Sequence, residues 1–111
     1  MAVVEVPPNP DGSYTLYNEN GMTVTLTFPA APAANFKVVT KDLQSGLPTG
    51  YTWLFNFGIQ NAGGKYLPSA SYSLHGSPRH DNKSWFIYYG GQAHAMNGAH
   101  TTPGDPPVGL G

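Results

Sequence analysis

The chain has 111 residues and a formal net charge of −1, and only 10% of its residues are Asp, Glu, Lys or Arg, against about a quarter in typical globular domains. Its five cations are spread along the sequence, so the clustered positive charge that nucleic acid requires is absent. No apolar run reaches the roughly 18 residues of a membrane span. We predict one domain over residues 1–111, with Gly/Pro-rich terminal segments at 1–10 and 97–111.

The N-terminal third is predicted to contain an edge strand and a β-hairpin. Residues 2–6, AVVEV, form a short strand that ends at Pro7, because proline cannot donate to a sheet ladder. SYTLYN and MTVTLTF, residues 13–18 and 22–28, follow as two strands joined by the turn NENG, whose Asn and Gly tolerate positive φ. In the second of these strands apolar residues alternate with Thr, which is typical of a half-buried strand.

The central region is predicted to contain three further strands. NFKVV, residues 35–39, follows a Pro/Ala linker, and YTWLFNFGI, residues 51–59, follows the turn LPTG. YSLHG, residues 72–76, is a short strand. The second of these segments alternates so regularly that five bulky residues are expected on one face. They are Tyr51, Trp53, Phe55, Phe57 and Ile59.

Two strands joined by a Gly-Gly turn are predicted nearer the C-terminus. SWFIYY, residues 84–89, is bulky on both faces, which favours a central strand. QAHAM, residues 92–96, returns as a short strand. We expect the small Ala93 and Ala95 of this strand to face inward and His94 to face outward.

These patterns indicate an all-β fold, an antiparallel two-sheet β-sandwich of seven or eight short strands with turn signals about every 8–12 residues. Each sheet hides only one face, so two sheets must cover each other. A closed barrel fits almost as well. The residues expected in the core are Val24, Leu26, Phe28, Val38, Trp53, Phe55, Phe57, Tyr72, Leu74, Trp85 and Ile87.

The order of turn and strand residues over roughly residues 47–96 follows a known pattern. The residues that carry it are Pro48, Gly50, Tyr51, Phe57, Ile59, Pro68, Tyr72, Leu74, Tyr88, Tyr89 and Gly90. In this order the second half of the chain resembles bacterial and archaeal extracellular Ig-like modules, so the predicted sandwich is expected to be Ig-like. It implies a β-sandwich that serves as a spacer, anchor-proximal or assembly module on secreted proteins, without catalytic residues. The return strand QAHAM departs from the pattern, in which a Trp is expected.

Four histidines are the candidate metal ligands. Neutral imidazoles bind zinc or copper, and three of them with a carboxylate complete a site. His75 and His80 flank one polar loop, while His94 and His100 lie on either side of the segment AMNGA. Their spacing matches no known site signature, so exposed loop or edge histidines are the alternative interpretation. No cofactor is predicted.

Aromatic residues are the candidate carbohydrate site, because sugar rings stack on flat Tyr or Trp faces while neighbouring amides bond their hydroxyls. The residues that could form such a strip, together with Trp85, are Tyr14, Tyr17, Tyr66, Asn82 and Tyr88. Core packing is the alternative, since a chain this poor in Leu and Ile must fill its interior with aromatic rings.

The apolar terminal segments are the candidate assembly surface. They need something to pack against, which is either the chain's own sheets or the strand edge of a neighbouring molecule. The low charge of the chain weakens the usual barrier against edge pairing. The residues concerned are Ala2, Val3, Val4, Val6, Val108 and Leu110.

Catalysis finds little support in the sequence. The six carboxylates are isolated in turns or end segments, and there is neither a cysteine nor a Gly-x-Ser-x-Gly motif. We therefore predict a non-enzymatic structural or assembly module of a surface or extracellular protein, such as a filament, appendage or particle-surface subunit. Its expected partner is itself or another surface protein. Binding of a polysaccharide and histidine-based metal binding are the alternatives.

Overall fold

The computed structural model describes residues 3–19, 21–42, 49–77, 82–101 and 104–111, with only the backbone of Asp42 and Trp53. These residues form ten β-strands and no helix. One sheet has six strands, in the spatial order β1 (Val3–Val6), β4 (Lys37–Asp42), β5 (Thr52–Gln60), β10 (Pro107–Leu110), β7 (Trp85–Tyr89) and β8 (Gln92–Ala95). The second sheet has the order β2 (Tyr14–Glu19), β3 (Met22–Thr27), β6 (Ser71–Gly76) and β9 (Ala99–Thr101).

All strand pairs are antiparallel and the sheets pack face to face, which confirms the predicted two-sheet β-sandwich. The sequence patterns missed β9 and β10, because their Gly/Pro-rich segment is typical of a loop. Pro107 is tolerated because it stands at the first position of β10. β10 lies between β5 and β7, whereas the last strand of an immunoglobulin constant-type domain lies at a sheet edge.

The core is built from the alternating apolar residues of both sheets. Across the interface between the sheets, the rings of Phe57 and Tyr72 meet edge to face at a centroid distance of 5.4 Å. Phe28 is half-buried against this core, and the side chain of Trp53 lies outside the described residues. The predicted core residues that the structure buries are Val24, Leu26, Val38, Phe55, Phe57, Tyr72, Leu74, Trp85 and Ile87.

A β-bulge breaks the predicted alternation near the start of β5. The register between β5 and β10 shifts by one residue at Leu54. Beyond the shift, Tyr51 lies on the outer face of the sheet, where its ring meets Phe86 edge to face at a centroid distance of 6.1 Å. The prediction that Tyr51 shares a face with the buried Phe55 is therefore wrong, because an inserted residue reverses the alternation.

The orientation of β8 also differs from the prediction. His94 is paired with the fully buried Ile87, so it faces the interior of the sandwich. Ala93 and Ala95 consequently lie on the outer face. The prediction that the two alanines face inward and His94 faces outward is therefore wrong. The register with β7 determines which residues face inward, and the size of the side chains does not.

Candidate functional site

β1 forms one edge of the six-stranded sheet, and it carries the most exposed large apolar side chains of the described residues. Val3 is 51% exposed and Val4 is 57% exposed, while Val6 is half-buried. The strand pairs with β4 over all four residues without a bulge. Within the described residues its other side has no partner strand, so its outward backbone N–H and C=O groups are open to another strand. The predicted assembly residue Ala2 lies outside the described residues.

The two faces of β1 differ in character. Val4 and Val6 share the inward face, because Val6 is paired with the buried Val38. Val3 and Glu5 share the outer face. Val4 is 57% exposed although it faces inward.

The other three sheet edges in the described part of the chain are interrupted, short or capped. β2 contains a bulge at Leu16, and β9 has only three residues. On β8, the carbonyl of Ala95 already accepts a hydrogen bond from Nε2 of His100 at 3.2 Å. β1 is thus the edge that is most open to strand addition.

Val108 and Leu110, which were predicted to take part in assembly, belong to the core instead. β10 lies between β5 and β7, and these two side chains are 0% and 5% exposed. They pack against the chain's own sheets and are unavailable to a neighbouring molecule. The prediction of an assembly role for these two residues is therefore wrong.

Part of the predicted carbohydrate strip is used for packing. Tyr14 is buried and packs edge to face against Phe28 at a centroid distance of 5.9 Å. Tyr17 stacks on Phe55 of the opposite sheet at 5.7 Å with an interplanar angle of 6°. The buried Trp85 packs edge to face against Tyr17. The bulge in β2 explains the inward position of Tyr17, and the prediction that Tyr14 and Trp85 are displayed on the surface is wrong.

The remaining members of the predicted strip lie on or next to the six-stranded sheet. Tyr66 covers Gly58, at which any Cβ would overlap its ring. Asn82 is exposed in the turn before β7 with a φ of 61°. Tyr88 is half-buried on the outer face of β7, opposite Ala93. Tyr14 and Tyr17 of β2 pack inward against the core, so they do not share a surface with these three residues.

A polar cluster of Tyr89, His94 and His100 joins the β8 and β9 edges of the two sheets. The ring of His94 stacks on that of Tyr89 at a centroid distance of 3.9 Å with an interplanar angle of 14°. Nε2 of His94 donates a hydrogen bond to the Tyr89 carbonyl at 3.3 Å, since a carbonyl can only accept. This arrangement fixes the ring of His94 against the interior side of its strand.

His100 links the two sheets through both of its ring nitrogens. Because Nε2 donates to the Ala95 carbonyl, Nδ1 of the neutral ring accepts from the hydroxyl of Tyr89 at 3.0 Å. The His94 and His100 rings are 6.1 Å apart between centroids. We call the hydrogen-bonded group of Tyr89, His94, Ala95 and His100 the clasp, because it connects the edge strands of the two sheets.

The predicted four-histidine metal site is only partly assembled. His94 and His100 lie close together, but His75 is exposed on β6 in register with Thr25 of β3. His80 lies outside the described residues. In the part of the chain that the structure describes, no group of three His, Cys, Asp or Glu side chains could hold a metal ion.

Asp11 and Tyr17 have pKa values that are shifted by their local surroundings. Oδ1 of Asp11 accepts from Oγ and the backbone N of Ser13, at 2.6 and 2.9 Å, and these bonds hold the pKa of Asp11 below its usual value. Burial and then the hydrogen bond to Glu19, at 3.0 Å, raise the pKa of Tyr17. Both groups therefore stabilise turns or strand ends, which is a structural role.

An apolar cleft of about 330 Å³ lies between the loop after β3 and the loop before β6. It has no titratable side chain in its lining, so it offers apolar surface but no group for acid–base chemistry. Its lining is mostly Pro29, Ala30, Pro32, Leu67, Pro68 and Ala70.

The comparisons with known proteins add no relative to this picture. No family model matches the sequence, and no curated protein or solved structure matches it either. Over the described ranges, no helix is long and apolar enough to cross a membrane. The functional interpretation therefore depends on the surface of the fold, and above all on β1.

Proposed function

We propose that the chain is a non-enzymatic structural module that assembles with neighbouring subunits through the free edge of its six-stranded sheet. The observation that carries this proposal is the uninterrupted edge strand β1 with exposed Val3 and Val4. Monomeric proteins usually protect such an edge with a bulge, a charge or a cover. In the described residues β1 has no bulge and no covering strand, and its only charge is that of Glu5, before the strand ends at Pro7.

The energetics favour weak assembly. Full burial of a Val side chain contributes about 1.5–3 kcal/mol, so covering the exposed half of Val3 or Val4 contributes about 1 kcal/mol each. Each new backbone hydrogen bond adds a net of about 1 kcal/mol. Association itself costs at least about 4 kcal/mol, so a single edge contact gives a dimer only at high protein concentration.

The low charge of the chain supports the same proposal. With six acidic and five basic side chains, two copies repel each other little at neutral pH. We place the module on a particle surface or in an extracellular assembly, with itself or another surface protein as its partner. Carbohydrate binding is less favoured, because Tyr14 is buried and Tyr17 stacks on Phe55 of the opposite sheet.

The test is a concentration series of molecular mass, measured by light scattering and sedimentation velocity. The intact chain is expected to increase in mass with concentration. Val4→Lys should weaken this association at least tenfold, because a charge on the edge must be desolvated. Ala62→Lys, in the exposed turn after β5, adds the same charge elsewhere and should leave the association unchanged. A constant monomer mass for the intact chain would refute the proposal.

A further inference from the structure

We propose that the strand that adds to β1 is β1 of a second copy, antiparallel to it and related by a two-fold axis, with Val4 opposite Val4. This inference rests on the proposed assembly through β1 and names its partner and register. The starting point is the comparison of the edges in the described residues. The edge of β2 is bulged, that of β8 is hydrogen-bonded to His100, and that of β9 is short. The open edge on a second copy is therefore also its β1.

Apolar complementarity favours the same partner. The exposed side chains of β8 are Gln92 and Ala95, which offer little apolar surface to cover Val3 and Val4. A second β1 instead offers two exposed valines of its own, and in the proposed register the two Val4 side chains cover each other. Pairing β1 with itself therefore removes more apolar surface from water than pairing β1 with β8.

The alternation of β1 limits its register. Residues directly opposite each other in an antiparallel pair point to the same face. Val3 and Glu5 lie on the outer face of the sheet. The outer faces of two joined sheets are therefore on the same side only when one of these two residues in one copy is opposite one of them in the other copy. Two registers that pair at least three residues of β1 meet this condition, and they are centred on Val4 and on Glu5.

The charge of Glu5 and the position of Pro7 decide between these two registers. Centring the pair on Glu5 places two carboxylates directly opposite each other, which is destabilising, and it aligns Val3 with Pro7, which has no N–H to donate. Centring the pair on Val4 places each Glu5 opposite a Val3 instead. The structure therefore assigns Glu5 the role of a register-setting residue.

The consequence is a closed dimer. A two-fold contact uses the β1 edge of both copies, so it joins two six-stranded sheets into one twelve-stranded sheet and then stops. Val4 is 57% exposed, so its side chain is accessible to a second copy. Only three residue pairs meet, so the contact is smaller than the roughly 1,200 Å² of a stable interface, and the dimer is expected to be weak.

Cysteine cross-linking tests the register directly, because the chain has no cysteine of its own. In the proposed dimer the two Val4 positions are direct cross-strand neighbours, within the Cα separation of about 4.4–6.8 Å that a disulfide needs. Two Glu5 positions are offset by two residues and lie roughly 8 Å apart, which is too far. Val4→Cys should therefore form a disulfide dimer at least tenfold faster than Glu5→Cys under mild oxidation.

An experiment that mixes two cysteine variants tests the pairing of Val3 with Glu5. Val3→Cys and Glu5→Cys should each cross-link poorly alone but form the mixed dimer rapidly when combined, because they are opposite each other in the Val4 register. Ala62→Cys, on an exposed turn, gives the rate of random collision. Thermal melting of each variant checks that it is folded, which is expected because Val3, Val4 and Glu5 are exposed.

Each outcome has a distinct meaning. If Val4→Cys cross-links no faster than Ala62→Cys while the intact chain still gains mass with concentration, the register is refuted and assembly stands. Rapid mixed dimers between Val3→Cys and Ala93→Cys, which both lie on the outer face of their sheet, would instead show head-to-tail pairing of β1 with β8 and would also overturn the inference. If the intact chain remains a monomer in light scattering, the proposed function itself fails.

Discussion

The close approach of β6 and β7 yields a quantitative prediction for Gly76→Ala. A Cβ at Gly76 would overlap Cβ, Cγ and Cδ1 of Trp85, which lies in the opposite sheet. Trp85 cannot retreat easily, because it is 4% exposed and its Nε1 donates to Oγ of Ser77 at 3.3 Å. The new methyl must therefore displace the Cβ and Cγ atoms that join the Trp85 ring to the backbone, and not only the end of a flexible side chain.

The expected magnitude follows from two opposing effects. Overpacking a core costs about 1–3 kcal/mol, while replacing Gly with Ala recovers about 0.4–1 kcal/mol by restricting the unfolded chain. We expect Gly76→Ala to lose about 1–2 kcal/mol of unfolding free energy, or about 4–8 °C in Tm for a domain of this size. Gly63→Ala, in an exposed turn without positive φ, is the matched control and should change stability by less than about 0.5 kcal/mol.

A double-mutant cycle with Trp85→Phe identifies the cause. The smaller ring leaves space for the new methyl, so Gly76→Ala should cost at least about 1 kcal/mol less in the Trp85→Phe background than in the intact chain. The assay is urea unfolding followed by circular dichroism. Additive effects, or a Gly76→Ala variant as stable as the control, would refute the close packing of the two sheets at this point.

Three further predictions concern the clasp, the N-terminal turn and the core. His100→Phe should cost about 1–3 kcal/mol in urea unfolding, because it removes two hydrogen bonds between the sheets; an unchanged midpoint, as expected for the exposed His75→Asn, would argue against the clasp. Asp11→Asn should be less stable than the intact chain at pH 7. Since the pKa of Asp11 is lower in the folded state, the difference in unfolding free energy between the two proteins is present above about pH 4 and disappears as the pH falls through the folded pKa. A difference that does not change with pH would show that the charge of Asp11 does not stabilise the turn. Val108→Ala should cost about 2 kcal/mol and Val3→Ala almost nothing, and equal effects in thermal melts would show that β10 is not in the core.

The parts of the fold with regular alternation were predictable from the sequence. In β3 the side chains of Val24 and Leu26 are fully buried between Thr residues, as their period of two indicates. The bulges at Leu16 and Leu54 were not predictable, because the inserted residue in each case is apolar and resembles its neighbours. One inserted residue is enough to reverse the expected face of Tyr51.

Long-range pairings account for the remaining differences. β10 has a loop-like composition, and only its neighbours β5 and β7 make it a buried central strand. The bond from Tyr89 to His100 joins residues 11 positions apart, and no spacing rule predicts it. The β1 edge was predictable as apolar, but its role depends on the protection of the other edges, which only the three-dimensional structure reveals.

Amide hydrogen exchange measured at several protein concentrations tests assembly through β1 most directly. If a second molecule pairs with this edge, protection of the Val3–Val6 amides will increase with concentration, while the amides of β2 and β9 will exchange at constant rates. Protection of β1 that stays constant over a range in which the mass of the protein increases would contradict the account and place the contact elsewhere.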